Sequence, residues 1–254
     1  MCGLLNGKRA LVTAGAQGIG LAISRALLRE GCDVAVHYFT SEVAAKALQA
    51  EAAADGKRMA VFGADLTDPG QVKILVEQSV DFLDGMDILV NNAGSLIARR
   101  KLDEVDMDFW QKVIDVNVTS MMNVTRYAAP ALRAANGASV VNLASLAGRK
   151  GGHPGSLVYS LAKGAVLTFT RALSTELGTD GIRVNALAPG LILGTSFHNT
   201  HTTKESADAT IAQIPLGRAG TPDDVARAVV FLAEQFDGFI TGATLDINGG
   251  VYCA

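Results

Sequence analysis

Residues 9–31, RALVTAGAQGIGLAISRALLREG, read as a short strand, a glycine-rich turn and a helix in immediate succession. The apolar run 9–13 predicts the strand, and the helix after the turn carries an apolar stripe and ends at Gly31. Bare backbone N–H groups and the positive end of the helix dipole make such a turn an anion site, above all for phosphate. Glycine is required where backbone touches a pyrophosphate and where the helix packs closely on the strand. The stretch predicts the opening unit of a nucleotide-binding α/β sheet.

The rest of the chain repeats this alternation of strands and helices. Further apolar strand candidates lie at residues 33–37, 59–62, 87–90, 140–143, 182–187 and 244–247. Helical patterns lie between them at 42–54, from 68, at 109–135, at 156–177 and from 221. With no linker and no internal repeat, the pattern predicts one α/β domain over residues 1–254, a doubly wound seven-stranded parallel sheet with helices on both faces. Ligands of such sheets bind beyond the carboxyl ends of the strands.

Composition excludes several classes of protein. The 254 residues are 49% apolar and 19% charged with a net charge of −3, so we expect a sizeable core and no nucleic-acid partner. Cys2, Cys32 and Cys253 lack disulfide or metal spacing, and no apolar run is long enough for a membrane span. His198 and His201 lack a carboxylate or cysteine partner, so no metal site is predicted. We expect a soluble cytoplasmic protein without a membrane partner.

The end of the second strand bears on which dinucleotide binds. A ribose-binding acid is expected about 20 residues beyond the glycines, yet Tyr38 stands there and no Asp or Glu lies at 34–41. The absence of a carboxylate favours NADP over NAD, although no arginine takes its place. Thr40 and Ser41 either bind the extra phosphate or cap the next helix. Asp65, after the third strand, either meets the adenine amino group or caps a turn.

Amides and basic residues follow the fourth strand. The tetrapeptide Asn91-Asn92-Ala93-Gly94 can pin a turn and admit a ribose closely, or be an ordinary turn. We expect the basic triplet at 99–101 to be solvated. Asn117 interrupts the long helical pattern at 109–135, where asparagine is a poor helix former. Its position predicts either a local kink held by a buried hydrogen bond or a functional role beside Tyr159, the candidate active tyrosine.

The chemistry is predicted at residues 140–163, VVNLASLAGRKGGHPGSLVYSLAK. The strand ends at Ser145, a glycine-rich loop follows, and Tyr159 and Lys163 project from one face of the next helix. An ammonium near a phenol lowers the tyrosine pKa from its ordinary value of about 10, which prepares the phenol for proton transfer to or from a hydroxyl or carbonyl group. Alternatively, Tyr159 is an interface aromatic and Lys163 a solvated charge. The helix is apolar on more than one face, which predicts a partner subunit.

Together these motifs, with Pro189-Gly190 after the sixth strand, resemble the short-chain dehydrogenase/reductase family over almost the whole chain. The resemblance implies a single Rossmann-type domain, usually assembled as a tetramer or dimer. It implies that Tyr159 is the acid/base, that Lys163 lowers its pKa and holds the nicotinamide ribose, and that Ser145 orients the substrate oxygen. Asn117 would complete a proton relay through water.

The resemblance also implies a set of cofactor-binding residues. They are Thr13, Gly15, Gln17, Gly18, Ile19, Gly20, Tyr38, Thr40, Ser41, Asp65, Leu66, Asn91, Ala93, Gly94, Tyr159, Lys163, Pro189, Gly190, Ile192 and Thr195. The sequence departs from the family pattern twice. Ala14 replaces the first glycine, which is tolerable if its φ stays negative, and Thr195 stands one residue late, after an apparent insertion near Gly194.

The reaction expected from the resemblance interconverts a secondary alcohol and a ketone with NAD(P)(H), NADP(H) being favoured. The substrate would meet Ser145, His153, Leu191 and His198 beneath a lid at 191–214. An NAD-dependent sugar or polyol dehydrogenase remains an alternative, as does a sensor or scaffold that binds a dinucleotide without turnover. Enoyl reduction is disfavoured, because that branch of the family spaces its tyrosine and lysine more widely.

Overall fold

The computed structural model describes residues 3–195, 200, 202–234 and 238–254. Seven strands form one parallel sheet. They are β1 Arg9–Val12, β2 Asp33–Tyr38, β3 Met59–Gly63, β4 Ile88–Asn91, β5 Ser139–Leu143, β6 Arg183–Pro189 and β7 Thr244–Ile247. Their order is β3-β2-β1-β4-β5-β6-β7, which confirms the predicted sheet. The order reverses between β1 and β4, and this switch point opens a crevice beyond the carboxyl ends of these two strands.

Helices cover both faces of the sheet. The described helices are α1 Gly18–Arg29, α2 Glu42–Ala54, α3 Pro69–Leu83, α4 Met107–Ile114, α5 Ser120–Ala134, α6 Leu146–Lys150, α7 Leu157–Gly178, α8 Lys204–Ile211 and α9 Pro222–Ala233. Side chains alternate along each strand, so Val12 packs with Ile23 of α1 on one face while Leu11 packs with Leu132 of α5 on the other. Each face therefore has its own apolar core.

The predicted helix starts rest on observed caps. The Asp68 carboxylate accepts hydrogen bonds from the N–H groups of Gly70 and Gln71, at 2.8 and 3.3 Å, and Pro69 begins α3. Thr221 and Asp224 form a capping box at the start of α9. No described helix is long and apolar enough to cross a bilayer. The described residues also contain no group of three side chains suited to a metal ion.

The region after Ser145 differs from the prediction of a loop. The Ser145 hydroxyl accepts a hydrogen bond from the Ala147 N–H at 3.1 Å and thereby starts the short helix α6. A Cβ on Gly148 would lie 2.5 Å from the carbonyl carbon of Lys163. That glycine therefore lets α6 pack closely against α7, instead of marking a flexible loop.

The long helix predicted at 109–135 is continuous but changes its winding. Between α4 and α5 the segment Asp115–Thr119 is π-helical, and Asn117 is buried at its centre. A π-turn inserted into an α-helix is a feature found often at functional sites. The predicted irregularity at Asn117 is thus present as a widened turn within one continuous helix.

Candidate active site

A cavity of about 550 Å³ lies beyond the carboxyl ends of the strands. It brings together many of the residues singled out from the sequence. Those that line it are Gln17, Gly18, Ile19, Gly20, Gly94, Ser145, His153, Tyr159, Lys163, Pro189, Gly190, Leu191, Ile192 and Thr195. His198 lies outside the described residues. The cavity extends from the turn at 13–20, here named the glycine turn, to residues 143–163, here named the catalytic segment.

The glycine turn leaves no room for a side chain at Gly20. A Cβ on Gly20 would overlap the Ala14 carbonyl oxygen and lie 2.6 Å from Nδ2 of Asn92. Gln17, at the N-cap of α1, makes no side-chain capping bond, so the first N–H groups of α1 remain available beside the cavity. The Ser24 hydroxyl donates to the Gly15 carbonyl at 2.9 Å and holds the turn on its helix. These backbone donors at a helix start fit a dinucleotide pyrophosphate.

Ala14 does not keep the negative φ that the sequence analysis required. Its φ is +49°, in the left-handed region that costs an alanine about 1–2 kcal/mol. Two long-range contacts hold it there: its N–H donates to Nδ1 of His37 at 3.0 Å, and its carbonyl accepts from Nδ2 of Asn92 at 3.2 Å. Alanine is accommodated here by these partners rather than by a relaxed backbone.

His37 is a site residue that the sequence analysis passed over as part of a strand. It is 2% exposed, and because Nδ1 accepts from Ala14, the ring hydrogen is assigned to Nε2, which donates to the Ala64 carbonyl at 3.0 Å. Burial lowers the pKa of His37, so the ring stays neutral and keeps Nδ1 as an acceptor. The available signal was its place in a strand buried on both faces, where a histidine must find hydrogen-bond partners.

Thr13, Asn91 and Asn92 form hydrogen bonds among the strand ends that border the crevice. The Thr13 hydroxyl accepts hydrogen bonds from the N–H groups of Asn92 and Ala93, at 2.9 and 3.0 Å, and joins the ends of β1 and β4. Nδ2 of Asn91 donates to Asn142 and Thr125, both at 2.9 Å. Of these residues only Asn92 lines the cavity, so the others are positioned to hold its floor.

The residues predicted to contact adenosine lie at the ends of β2 and β3, outside the lining of the cavity. The Asp65 carboxylate accepts from the N–H and hydroxyl of Thr67, at 2.8 and 2.7 Å, so it caps a turn as the alternative interpretation held. Ser41 occupies the N-cap position of α2 but makes no side-chain capping bond, and Thr40 is exposed. Tyr38 packs over Gly63, whose added Cβ would lie 3.0 Å from the ring, and Leu66 is buried in the core.

The catalytic segment gathers a hydroxyl, a phenol and an ammonium at one end of the cavity. Ser145 hydrogen-bonds Tyr159, and Nζ of Lys163 lies 5.9 Å from the Tyr159 ring centroid. Lys163 is only 4% exposed and donates to the Leu143 carbonyl at 2.8 Å. Gly94 closes the group, because an added Cβ would lie 2.7 Å from that Nζ.

The pKa shifts of these groups differ from the expectation. Burial raises the pKa of Tyr159 to about 12, and the hydrogen bond from Ser145 lowers it only in part. Burial also lowers the pKa of Lys163 to about 8. The predicted lowering of the tyrosine pKa by Lys163 is therefore wrong for the chain by itself, because burial removes water from the phenol and the ammonium is turned toward the Leu143 carbonyl.

Asn117 is committed to the loop after β4. Its Nδ2 donates to the carbonyls of Ser95 and Val113, at 2.7 and 2.9 Å, and its Oδ1 accepts from the Ser95 N–H at 3.1 Å. A Cβ on Gly94 would also lie 2.7 Å from that Oδ1. The side chain thus fixes the wall beside Lys163, which is the buried hydrogen-bonding role, and the relay role stays a prediction.

The segment predicted as a lid, 191–214, contributes to the wall and contains α8. Thr195 donates to the Ile192 carbonyl at 3.3 Å, and its Cβ would lie 3.5 Å from a Cβ on Gly18, so it reaches the glycine turn. Asn92 belongs to the predicted motif after β4, and Thr210, Gln213 and Ile214 belong to the predicted lid, whereas three further lining residues were not among the predicted site residues: Arg99, Lys150 and Val251. Their positions depend on how loops cross over the sheet edge, which has no periodic signal in sequence.

Comparisons with known proteins identify reductases and a dehydrogenase as similar to this chain. A family model described as enoyl-(acyl carrier protein) reductase matches residues 13–252. The chain is 36% identical over 249 residues to a 3-oxoacyl-(acyl-carrier-protein) reductase of Staphylococcus aureus, covering 96% of this chain and 98% of that one. It is 39% identical over 243 residues to acetoacetyl-CoA reductase of Shinella zoogloeoides, with coverage of 96% and 98%. A short-chain dehydrogenase of Burkholderia cenocepacia, solved with NADP, superposes with a TM-score of 0.91 at 34% identity, covering 97% and 98% of the chains.

Proposed function

We propose that this chain, which belongs to the short-chain dehydrogenase/reductase family of NAD(P)-dependent oxidoreductases, reduces a ketone to a secondary alcohol with NADPH. The observation that carries the proposal is the convergence of Ser145, Tyr159 and Lys163 on the same cavity as the glycine turn. A nicotinamide cofactor would supply the hydride, and the side chains would manage the oxygen and its proton.

Tyr159 is the proposed proton donor. With a pKa of about 12 its phenol is protonated at neutral pH, which suits donation to the oxygen of a ketone that is being reduced. The Ser145 hydroxyl, which already bonds the phenol, would hold the same oxygen. Lys163, buried beside them, would bind the cofactor ribose, and only with the cofactor bound would its charge favour the phenolate that remains after the proton leaves.

NADP(H) is the proposed cofactor. No carboxylate stands at residues 34–41 to repel a 2′-phosphate, and Ser41 keeps its hydroxyl out of the helix cap. The similar Burkholderia structure holds NADP. A fluorescence titration should give NADPH at least tenfold tighter binding than NADH, a gap of ~1.4 kcal/mol. Tighter binding of NADH would favour the sugar or polyol dehydrogenase instead.

Ketone reduction is favoured over enoyl reduction by the catalytic spacing. Tyr159 and Lys163 lie one helical turn apart on α7, whereas the enoyl branch spaces the pair more widely. Two of the similar proteins are named as reductases of 3-oxoacyl or acetoacetyl groups. A 3-oxo compound is therefore the first substrate class to test.

The test is NADPH oxidation in the presence of ketones, measured for the wild type and for Tyr159→Phe. The kcat/KM of the variant should fall by a factor of about 10²–10⁴, the contribution of a positioned acid, while NADPH still binds. If Tyr159→Phe retained full activity, proton donation by Tyr159 would be wrong. If NADPH bound tightly but no ketone were reduced, the chain would be the sensor or scaffold of the alternative hypothesis.

A homo-oligomer is also proposed, because apolar side chains of α7 remain on the surface. Leu157 and Leu161, one turn apart, are 50% and 48% exposed, and Met122 of α5 is also exposed. Light scattering of the purified protein should show a dimer or tetramer, and Leu161→Glu should shift it toward smaller species. A monomeric wild type at micromolar concentration would contradict this.

A further inference from the structure

The substrate end of the cavity carries positive charge that the catalytic set does not use. Among the described residues that line the cavity, Arg99, Lys150 and Lys163 are basic and none is Asp or Glu. The chain as a whole has more acidic than basic residues, 25 against 22, so this lining departs from the overall composition. Lys163 has a place in the proposed chemistry, and Arg99 and Lys150 do not.

The basic residues adjacent in sequence are paired elsewhere. Arg100 forms an ion pair with Asp106 at 2.7 Å, and Arg149 forms one with Asp246 at 3.1 Å. In the part of the chain that the structure describes, Lys150 has no carboxylate within ion-pair distance. In each basic run one cation pairs with a carboxylate and its neighbour lines the cavity, where the Arg99 guanidinium also donates to the Pro154 carbonyl at 3.5 Å. Arg99 and Lys101 are exposed, as expected for solvated charges, and Arg99 in addition lines the cavity.

Backbone geometry fixes the segment that carries Arg99. The Ala98 N–H donates to the Leu96 carbonyl at 2.8 Å, which makes a γ-turn around Ile97, whose φ is +64°. A β-branched residue is strongly disfavoured in this region, so the turn is held by its surroundings. Just beyond it, the Arg100 N–H donates to the Gly155 carbonyl at 2.9 Å. Arg99 therefore lies against residues 153–155, at the mouth of the cavity.

Lys150 lines the same cavity and follows Ser145 on the short helix α6. The hydroxyl of Ser145 starts α6, and Lys150 is the last residue of that helix. Five residues of helix advance about 7.5 Å at ~1.5 Å per residue. The backbone of Lys150 is thus about one and a half helical turns from Ser145, and both residues line the same cavity.

We propose that the substrate is a compact oxo acid, whose carboxylate is held by Arg99 and Lys150 while its ketone faces Ser145 and Tyr159. The inference rests on the proposed ketone reduction and specifies the substrate class for that same site. The phosphates of a carrier thioester lie at the far end of a long arm, whereas the carboxylate of a short oxo acid lies within a few bonds of its ketone and can meet residues of the same cavity as Ser145. A guanidinium and an ammonium in a cavity without carboxylates suit a small carboxylate instead.

The experiment compares acetoacetate, its methyl ester and acetoacetyl-CoA as substrates with NADPH. The wild type should prefer acetoacetate to the neutral ester by at least tenfold in kcat/KM. Arg99→Met and Lys150→Met should each lower that preference by about tenfold, mainly through KM, as expected for one charge-assisted contact. Lys101→Met is the matched control, because its side chain lies outside this cavity, and it should leave the preference unchanged. Raised ionic strength should weaken use of the acid more than of the ester.

Different failures separate the two proposals. If the ester is reduced as well as the acid, or if the two variants leave the preference unchanged, the carboxylate site is wrong and ketone reduction stands. If acetoacetyl-CoA is reduced and acetoacetate is not, the substrate is a carrier thioester. Calorimetry with butyrate and butanamide in the presence of NADP measures binding without turnover. If butyrate alone binds, and Lys150→Met abolishes that binding, the carboxylate site stands even if no ketone is reduced.

Discussion

The glycine turn and the catalytic segment line the same cavity, but they are held in unfavourable states of different kinds. In the glycine turn the cost is conformational: Ala14 has a φ of +49° and is kept there by His37 and Asn92. In the catalytic segment the cost is electrostatic, because burial of Lys163 disfavours its charged form and lowers its pKa to about 8. The glycine turn provides a backbone conformation, and the catalytic segment provides ionisable side chains.

This difference predicts how each region responds to substitution. In the glycine turn, a substitution that adds one carbon atom should disrupt the backbone conformation, and one that removes strain should stabilise the protein. A site made from buried ionisable groups loses activity when a charge is removed, yet the protein gains stability.

Lys163→Met removes the buried charge and should have the largest effect. We expect kcat/KM to fall by at least roughly 100-fold, as for loss of an acid–base group, while the thermal unfolding midpoint stays the same or rises. The pKa of Lys163 in the folded chain, about 8, is below its ordinary 10.5, so the unfolded chain binds more protons between these values. The free energy of unfolding should therefore rise with pH across that window in the wild type and not in the variant.

Calorimetric unfolding across that pH window measures both effects. A variant that kept its activity, or one that unfolded well below the wild type, would contradict the idea that Lys163 is retained for chemistry at the expense of stability.

Gly20→Ala adds one carbon to the glycine turn, where it would overlap the Ala14 carbonyl. Overpacking of this kind costs roughly 1–3 kcal/mol, and we expect NADPH binding to weaken by more than tenfold. Gly178→Ala is the matched control, because nothing lies within 4 Å of its added Cβ. Fluorescence titration with NADPH and thermal unfolding should be measured for both variants. If Gly20→Ala and Gly178→Ala bound NADPH and unfolded alike, the close packing of the turn would have no special role.

His37 makes the glycine turn sensitive to acid. Its pKa in the folded chain is below the ordinary 6.5, so as pH falls below about 6.5 the unfolded chain takes up a proton that the folded chain refuses. Stability should therefore decrease on acidification, and NADPH binding should weaken once Nδ1 is protonated and can no longer accept from Ala14. His37→Asn should reduce the part of this decrease that begins near pH 6.5, whereas His153→Asn, an exposed control, should not. Unfolding midpoints measured between pH 5 and 8 would show it.

Ala14→Gly relieves the strain and should have the smallest effect. Glycine adopts positive φ freely but loses more entropy on folding, so the net gain should be on the order of 0.5–1 kcal/mol. Chemical denaturation measures it. A destabilised variant would mean that the methyl group packs favourably enough to offset its backbone strain.

Much of this protein could be predicted from local sequence. Strand and helix periods placed α2 at its observed bounds and β2 within one residue of its observed end. The caps at Asp68 and Thr221 were readable because each uses side chains within three residues of one another. The residues of the glycine turn and the set Ser145, Tyr159 and Lys163 were readable because they follow strands, and parallel strands bring their carboxyl ends to one edge.

Only the tertiary structure decided the rest. The sign of φ at Ala14 depends on His37 and Asn92, which are 23 and 78 residues away, and the direction of the Tyr159 pKa shift depends on how much water burial removes. Whether Arg99 or Arg100 faces the cavity depends on a strained turn at Ile97 and on Asp106. Local patterns encode the period of an element and the residues near it in sequence. Conformational strain, hydration and charge pairing arise from contacts between distant segments, which exist only after the chain has folded.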